Sequence, residues 1–249
     1  MELKFYLQRI GIDRIKKPSL EFLAELQMKH LLAVPFEDLD IPDRARIILD
    51  LNRIYDKIIP TKRGGFCYEL NGLFHWLLTQ LGYKVDMLSA RVYNHSKKEL
   101  GPEFDHMTLL VHLDQDYLVD VGFGDSFRCP IPFPDGRTKD VSGEYKLFHR
   151  KDENYELKKL HDNDWLTEYK FTSVPRDFLD YAAMCNYQQD ASSSTFRNRN
   201  VCTLATMNGR ITLSNSSLTI TENGAKTKFD VSSEKEFAAM LKKYFNIIL

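Results

Sequence analysis

One segment of the chain combines a flexible turn, a cysteine and the start of an apolar helical pattern. It spans Arg63–Phe74 and reads RGGFCYELNGLF. Two glycines give the backbone freedom for a sharp turn just before Cys67. Apolar residues then recur at three- and four-residue spacing, which predicts a helix that ends at Gly82. A thiol at a helix N-terminus feels the positive end of the macrodipole, so this position favours the thiolate, the nucleophilic form of cysteine.

A second reading of Cys67 stays open, because cysteine is also among the residue types most often buried in cores. For the other three cysteines the packing reading is the stronger one. Cys129 falls in a Pro-rich loop, Cys185 in a predicted helix and Cys202 in a predicted strand. No CxxC pair occurs, so the spacing does not indicate a structural zinc site, and four free thiols are expected.

A cysteine nucleophile needs a base, and the chain offers seven histidines. His106 opens the predicted strand Met107–Leu113, where a side chain stands on a rigid frame near the mouth of a loop. That position suits a catalytic base, but the residues alone leave His106 one candidate among the seven.

Asp120 interrupts the apolar strand Tyr117–Val121, and a buried carboxylate is costly unless it is paired or hydrogen-bonded. A hairpin joins this strand to Met107–Leu113, so a histidine near the start of that strand is one candidate partner. With the turn centred near residue 115, position 120 is expected opposite position 110, and contact with His106 then needs a bend or a register shift. The alternative is an inward Asp120 that ties down a loop. The glycines of the following Gly122-Phe123-Gly124 permit close approach of a ligand to the backbone.

The pattern of the chain changes twice, which predicts an α+β architecture in three parts. Residues 1–83 read as helical. Residues 84–174 read as sequential antiparallel strands that form a sheet or small barrel. Residues 175–249 mix a helix, two hairpins with Asn-Gly turns, and a last helix that begins at the capping box of Ser233 and Glu236.

Composition narrows the function classes. The 249 residues include 34 basic and 35 acidic side chains, a net charge of −1 without the basic excess typical of nucleic-acid or anionic-membrane binding. No apolar run approaches the roughly 18 residues that cross a bilayer, and the N-terminus lacks the features of a secretory signal. We therefore expect a cytosolic protein that binds neither nucleic acid nor membrane.

Taken together, these segments resemble the arylamine N-acetyltransferases, cytosolic enzymes that move an acetyl group from acetyl-CoA to aromatic amines and hydrazines. The resemblance spans nearly the whole chain in the expected order, and the RGGFCYELN segment is its most specific part. The other matching segments are Val34–Leu39, Asp105–Met107, Val119–Gly124, Cys185–Tyr187, Ser192–Phe196, Cys202–Thr206 and Asn208–Leu213.

The resemblance implies a helical bundle, a β-barrel and an α/β lid around a cysteine-protease-like core. It implies that Cys67 is acylated, that His106 is the base and that Asp120 orients His106, with no metal. It places Phe36, Phe123 and Phe196 in the acceptor pocket, and Gly122, Gly124 and Ser193 at CoA. The chain ends soon after its last helix, whereas longer vertebrate members carry a tail that reaches the active site; we therefore expect a more open acceptor pocket.

The expected reaction is a ping-pong acetyl transfer through acetyl-Cys67 to an arylamine or hydrazine, in xenobiotic metabolism. Three rivals share these residues. A hydrolase would pass the acyl group to water, an amide synthase would take an acyl chain from a carrier protein, and a non-catalytic protein would only bind aromatics or CoA.

Overall fold

The computed structural model describes residues 1–42 and 45–248. Over that part of the chain it contains six α-helices and fourteen β-strands, labelled in chain order. The helices are α1 (Leu3–Arg9), α2 (Leu20–Ala33), α3 (Leu51–Ile58), α4 (Cys67–Gln80), α5 (Ala182–Asp190) and α6 (Glu234–Phe245). The strands are β1 (Phe36–Glu37), β2 (Lys84–Asn94), β3 (Glu99–Leu100), β4 (His106–His112), β5 (Asp116–Val119), β6 (Ile131–Pro132), β7 (Arg137–Asp140), β8 (Gly143–His149), β9 (Asn154–His161), β10 (Asp164–Arg176), β11 (Val201–Thr206), β12 (Gly209–Ser214), β13 (Ser217–Glu222) and β14 (Ala225–Asp230).

Helix α4 lies at the centre of the N-terminal helices. Ten of its 14 residues are buried, since it packs against α1 and α3 on one side and against β2 and β4 on the other. The helix ends as predicted, with Gly82 in the left-handed region at φ 87°. The helix that carries Cys67 therefore forms one wall of the main hydrophobic core.

The central sheet is antiparallel and curls into a nearly closed barrel. Its strand order is β6-β5-β4-β2-β10-β9-β8-β7, and β3 pairs with β2. The sequential antiparallel strands predicted in residues 84–174 are present, and Met107–Leu113 and Tyr117–Val121 correspond to β4 and β5 with ends that differ by one or two residues. The short strands β6 and β7 were not predicted, because two to four polar or Pro-containing residues carry no clear alternation.

The register between β4 and β5 corrects one expectation. Leu110 pairs with Leu118 and Leu109 with Val119, so position 120 continues opposite position 108 and not opposite 110. His106 lies two residues further along β4, on the same face as position 108. Diagonal neighbours of this kind are within reach of one another, so contact between Asp120 and His106 needs no bulge.

A second antiparallel sheet, in the order β1-β11-β12-β13-β14, packs against α6. Both predicted hairpins are present. Asn223 and Gly224 form a two-residue turn with φ of 50° and 84°. In the other hairpin the turn residues are Met207 and Asn208, while Gly209 already belongs to β12. Helix α6 begins at the predicted cap, where the Ser233 hydroxyl accepts a hydrogen bond from the Glu236 amide.

The structure is α+β, as predicted, with helices, barrel and C-terminal sheet in that order along the chain. In residues 1–42 and 45–248, no helix combines the length and the apolar character needed to cross a membrane. All four cysteines are free thiols, as expected.

Candidate active site

Cys67 is the first residue of α4, at the position predicted from the glycine turn. The Glu69 carboxylate accepts a hydrogen bond of 3.0 Å from the backbone amide of Phe66 and so caps the helix at the turn before Cys67. Only 5% of the Cys67 surface is exposed. The nucleophile candidate is therefore buried at a helix start that its own neighbours hold in place.

A network of buried ion pairs fixes this turn to the neighbouring segments of the chain. Lys57 of α3 contacts Glu69 at 2.9 Å and Asp40 at 2.7 Å, and Arg63 contacts Glu37 at 2.9 Å. Glu37 and Glu69 are almost fully buried, so each needs its cation to offset the cost of desolvation. Through these contacts α3 and the segment around β1 are tied to the backbone that presents Cys67.

Burial raises the pKa of the Cys67 thiol well above its ordinary value, and the negative charge of Asp105 adds to the rise. A hydrogen bond with the backbone of Met107 acts in the opposite direction but is weaker. The direction of this shift runs against the expectation that the helix start favours the thiolate. Cys67 needs a partner that takes its proton.

His106 and Asp120 form a direct pair. The distance from His106 Nε2 to Asp120 Oδ2 is 2.6 Å, and both side chains are buried. Burial alone would raise the pKa of Asp120, but His106, Asn71 and the Gly122 amide hold it below its ordinary value. The ionised carboxylate fixes a proton on Nε2 and leaves Nδ1 of a neutral imidazole free to accept another. His106 is therefore paired with Asp120 beside the helix that starts at Cys67.

Asp120 has three further hydrogen bonds. Its Oδ1 accepts from Asn71 Nδ2 and from the Gly122 amide, both at 2.9 Å, while Tyr169 donates to Oδ2 at 3.1 Å. Both of the readings left open for Asp120 therefore apply, since it holds His106 and also fastens the loop that begins at Gly122. Four hydrogen bonds account for why a carboxylate is tolerated in this core.

Asn71 belongs to the motif Arg63–Phe74, but the sequence alone indicated no role for it. It lies one turn after Cys67 on α4 and is fully buried. Besides Asp120, its amide donates to the Met107 carbonyl at 2.6 Å, and its oxygen accepts from the Val121 amide at 2.9 Å. A polar residue directly after the apolar Leu70 and one turn from Cys67 was the signal for it, whereas nothing in the sequence marked Tyr169.

Gly122 lies directly against helix α4. A Cβ atom at this position would stand 2.9 Å from Cys67 Cα and 2.7 Å from Asn71 Nδ2. Only a glycine allows the loop after Asp120 to come this close to Cys67. Gly122 and Asn71 thus join the start of α4 at Cys67 to Asp120, and Asp120 in turn contacts His106.

The three predicted pocket phenylalanines lie around this site. Phe123 packs edge-on against His106 at 5.1 Å between ring centres, and Phe196 against Phe66 at 6.2 Å. Phe36 flanks Gly124, where an added Cβ would lie 3.8 Å from its ring. Phe123 thus borders His106 itself, and Phe196 borders the residue before Cys67.

Ser193 is placed differently. It is exposed beyond the end of α5, and its hydroxyl lies 2.8 Å from the Tyr187 hydroxyl. The neighbouring Ser194 is buried and bonds to Gln188 instead. Of the two, only Ser193 offers a hydroxyl at the surface.

This chain is similar in sequence to known proteins that all belong to one family. A family model described as N-acetyltransferase matches residues 19–249. Arylamine N-acetyltransferase 1 of Homo sapiens is 31% identical over 275 aligned positions, which cover 100% of this chain and 95% of that protein. Arylamine N-acetyltransferase, pineal gland isozyme NAT-3, of Gallus gallus is 34% identical over the same shares of the two chains.

Solved structures of proteins from the same family are also similar to this chain. An arylamine N-acetyltransferase from Bacillus cereus, described as having a unique Cys-His-Glu catalytic triad, superposes with a TM-score of 0.92 at 27% identity, over 99% of this chain and 98% of that one. The arylamine N-acetyltransferase of Salmonella typhimurium gives 0.92 at 28% identity, over 98% and 90% of the two chains. In this chain the carboxylate on the histidine is an aspartate. The chain belongs to the arylamine N-acetyltransferase family, and it is an acyltransferase.

Proposed function

We propose that this enzyme transfers an acetyl group from acetyl-CoA to an arylamine or arylhydrazine through an acetyl-Cys67 intermediate. The observation that carries the proposal is the 2.6 Å contact of His106 with Asp120, both buried beside the helix that starts at Cys67. A nucleophile, a base and a group that orients the base are the elements that covalent acyl transfer needs.

In the first half-reaction, the Cys67 proton moves to Nδ1 of His106 and the sulfur attacks the thioester carbonyl of acetyl-CoA. The bond from the carbonyl carbon to the CoA sulfur breaks, and the CoA thiolate takes the proton from His106. Asp120 stabilises the imidazolium while it carries the extra proton. One thioester is exchanged for another, so this step is nearly balanced in free energy.

In the second half-reaction, the amine nitrogen attacks the carbonyl carbon of acetyl-Cys67. His106 takes a proton from the nitrogen and returns it to the Cys67 sulfur as the thioester bond breaks. The products are the N-acetylated amine and free Cys67, and formation of the amide drives the step.

We place the aromatic acceptor between Phe36, Phe123 and Phe196, and CoA beside Gly122, Gly124 and Ser193. The phenylalanines offer apolar ring faces next to the nucleophile, which suits an aryl group. The glycines allow a ligand to approach the backbone closely, since they carry no side chain.

Intact-mass spectrometry tests the intermediate. Incubation with acetyl-CoA is expected to add one acetyl group to the protein, mapped by peptide analysis to Cys67, and addition of an arylamine is expected to remove it. Cys67→Ala should abolish the mass increase, while Cys129→Ser, at a half-buried loop cysteine, should keep it. Acetylation of another residue, or full arylamine turnover by Cys67→Ala, would refute the proposal.

The hydrolase alternative differs only in the acceptor. We expect N-acetylated product to exceed free acetate at saturating arylamine, measured by chromatography of both products. An excess of acetate would favour the hydrolase, and acetyl transfer only from a carrier-protein thioester would favour the amide synthase. Absence of any acyl-Cys67 would favour a binding protein without catalysis.

We also propose that residues 1–83, 84–174 and 175–249 are the three structural parts, and that the enzyme acts in the cytosol. In support of the first point, one hydrophobic cluster is mainly helical, a second fills the barrel and a third lies under the C-terminal sheet.

A further inference from the structure

Gln188 connects helix α5 to the segment that leads into His106. Its side chain is buried, and Nε2 donates a hydrogen bond of 2.7 Å to Oδ1 of Asp105, the residue directly before His106. The two residues are 83 positions apart in the chain. A buried amide has to make its hydrogen bonds inside the protein, so this contact fixes α5 relative to the start of β4.

The oxygen of the same amide continues the connection toward Phe196. Oγ of the buried Ser194 lies 2.9 Å from Gln188 Oε1 and 2.7 Å from the Gln188 carbonyl oxygen, so its single proton has two acceptors on one residue. Ser194 Oγ in turn accepts a hydrogen bond of 3.2 Å from the Phe196 amide. A chain of hydrogen bonds thus joins Asp105 to Phe196 through Gln188 and Ser194.

Asp105 is held in place without Gln188. The hydroxyl of Tyr68 donates to the Phe104 carbonyl at 2.7 Å and lies 3.3 Å from the Asp105 carbonyl oxygen. Tyr68 follows Cys67 on α4, so this hydroxyl ties the segment before His106 to the helix that carries the nucleophile. Asp105 is therefore the fixed end of the hydrogen-bond chain, and Phe196 is the end that the chain positions.

Phe196 belongs to a single 3₁₀ turn of three residues, which has little internal hydrogen bonding to hold it. Its ring packs edge-on against Phe66, the residue before Cys67. The His106–Asp120 pair is held by other contacts, from Asn71, Gly122 and Tyr169. Loss of the hydrogen-bond chain would therefore displace the ring of Phe196 and leave the groups that acylate Cys67 in place.

We propose that Gln188 and Ser194 are positioning residues that hold Phe196 against the aromatic ring of the acceptor, and that they thereby set the preference of the second half-reaction for aromatic amines. The inference rests on the proposed acetyl transfer and on the placement of Phe196 in the acceptor pocket. In a ping-pong reaction kcat/KM for each substrate reports its own half-reaction, so an effect on the acceptor can be separated from an effect on acylation.

The test compares steady-state kinetics of Gln188→Met, which keeps the length of the side chain but removes its hydrogen bonds, and of Ser194→Ala. In each variant kcat/KM for 4-methoxyaniline should fall at least about fivefold, while kcat/KM for acetyl-CoA and for hydrazine, which has no ring, should change less than about twofold. Ser192→Ala, at an exposed serine of the same stretch, should change none of the three. An unchanged value for 4-methoxyaniline, or an equal fall for all three substrates, would overturn the proposal.

A double-mutant cycle shows whether Ser194 acts through the ring of Phe196. In a Phe196→Ala background, Ser194→Ala should lower kcat/KM for 4-methoxyaniline less than about twofold, because the ring that it positions is already absent. An equal loss in both backgrounds would contradict the proposal. All variants are compared at a temperature at which thermal unfolding shows them to be folded. Unaltered enzyme that forms no acetyl-Cys67 would refute the proposed function, whereas normal acetylation of Cys67 with unchanged arylamine kinetics in the variants would refute this inference alone.

Discussion

Asn71 links the three chain segments that carry the candidate triad. Its amide and oxygen contact the Asp120 carboxylate, the Met107 carbonyl and the Val121 amide at 2.6–2.9 Å. Asn71→Ala removes all three contacts and leaves buried polar groups unpaired. We expect a loss of about 2–4 kcal/mol in the free energy of unfolding and a 10- to 100-fold fall in kcat/KM, roughly the effect of a misplaced catalytic group.

A pH profile separates positioning from general destabilisation. Asn71→Asp places a second carboxylate beside Asp120, which raises the pKa of Asp120 through like-charge repulsion. The acidic limb of kcat/KM should therefore move to higher pH, by at least about half a unit. Asn52→Asp on the exposed face of α3 is the matched control and should leave the limb in place. An unshifted limb in Asn71→Asp would mean that Asn71 acts only in folding.

Gly122 sets the distance between the Asp120 loop and the catalytic helix. Gly122→Ala forces a Cβ to within 2.9 Å of both the Cα and the carbonyl oxygen of Cys67, and backbone atoms cannot yield as a flexible side chain can. We expect a loss of stability of about 1–3 kcal/mol and slow acylation of Cys67 in single-turnover experiments. Gly224→Ala, which adds a Cβ with no atom within 4 Å, should cost only backbone strain and acylate at the normal rate. Equal acylation rates in the two variants would show that the close approach is unimportant.

At the residue scale, the sequence drew attention to a side chain where it conflicted with its local pattern. Cys67 after two glycines and Asp120 in an apolar strand were both singled out by such conflicts. His106 was not, because its contact with Asp120 is a diagonal one between β4 and the end of β5, which sequence spacing does not reveal. Tyr169, whose hydroxyl donates a hydrogen bond to Asp120, lies about fifty residues after Asp120 in the chain, and no local signal predicts their contact.

At the scale of elements, His112 connects three neighbouring strands. It ends β4, and its ring nitrogens lie 2.8 Å from Asp86 of β2 and 2.8 Å from Asp116 of β5. Burial alone would lower the pKa of His112, but the two carboxylates raise it above its ordinary value. The charged imidazole thus holds the edges of both hairpins.

The sign of the pH dependence follows from that raised pKa. The folded state binds the proton more tightly, so the stabilisation is complete below the unfolded pKa of about 6.5 and is lost as pH rises through the folded value. His112→Gln should cost about 0.5 kcal/mol near pH 5.5, given that the side chain is 22% exposed, and less near pH 9. Urea unfolding at the two pH values measures the difference. His161→Gln, at a side chain that is 66% exposed, should show no such change with pH. If His112→Gln lowered the free energy of unfolding equally at both pH values, this role of the His112 ion pairs would be contradicted.

Element boundaries were predictable where local chemistry defines them. The cap at Ser233, the Asn223-Gly224 turn and the end of α4 at Gly82 depend on residues within a few positions of one another. Strand register was not predictable from the sequence, because it depends on where the hairpin turn is centred. The expected register placed position 120 opposite position 110, whereas the observed register continues it opposite position 108. This difference of two residues brings Asp120 closer to His106.

At the scale of the whole molecule, the order of helices, barrel and C-terminal sheet could be predicted from the change of hydrophobic period along the chain. Their mutual packing could not. The main core joins the helices to β2, β4 and β5, and Leu39 from the N-terminal part packs in the third core with α6. Such contacts depend on the three-dimensional path of the chain, on which periodicity carries no information.

Arg128 connects the barrel to the C-terminal sheet and is 1% exposed. Its guanidinium donates to the carbonyls of Thr206 and Gly209, at the two ends of the β11–β12 turn, each at 2.5 Å. Its Nε donates to the Ser142 hydroxyl at 2.6 Å, next to β8 of the barrel. One side chain thus satisfies buried polar groups on two separate sheets.

Arg128→Met keeps most of the volume of the side chain but removes its hydrogen bonds to two carbonyls and a hydroxyl. We expect a loss of about 2–4 kcal/mol in the free energy of unfolding and a fall in Tm of roughly 5–15 °C for a chain of this size. Hydrogen exchange should show the β11–β12 amides opening before those of β9 and β10, because the bond between the sheets is what protects them. Arg137→Met, at an exposed position of the barrel, should change neither quantity. A variant that unfolds with unchanged Tm and uniform exchange would mean that the two sheets are joined by apolar packing alone.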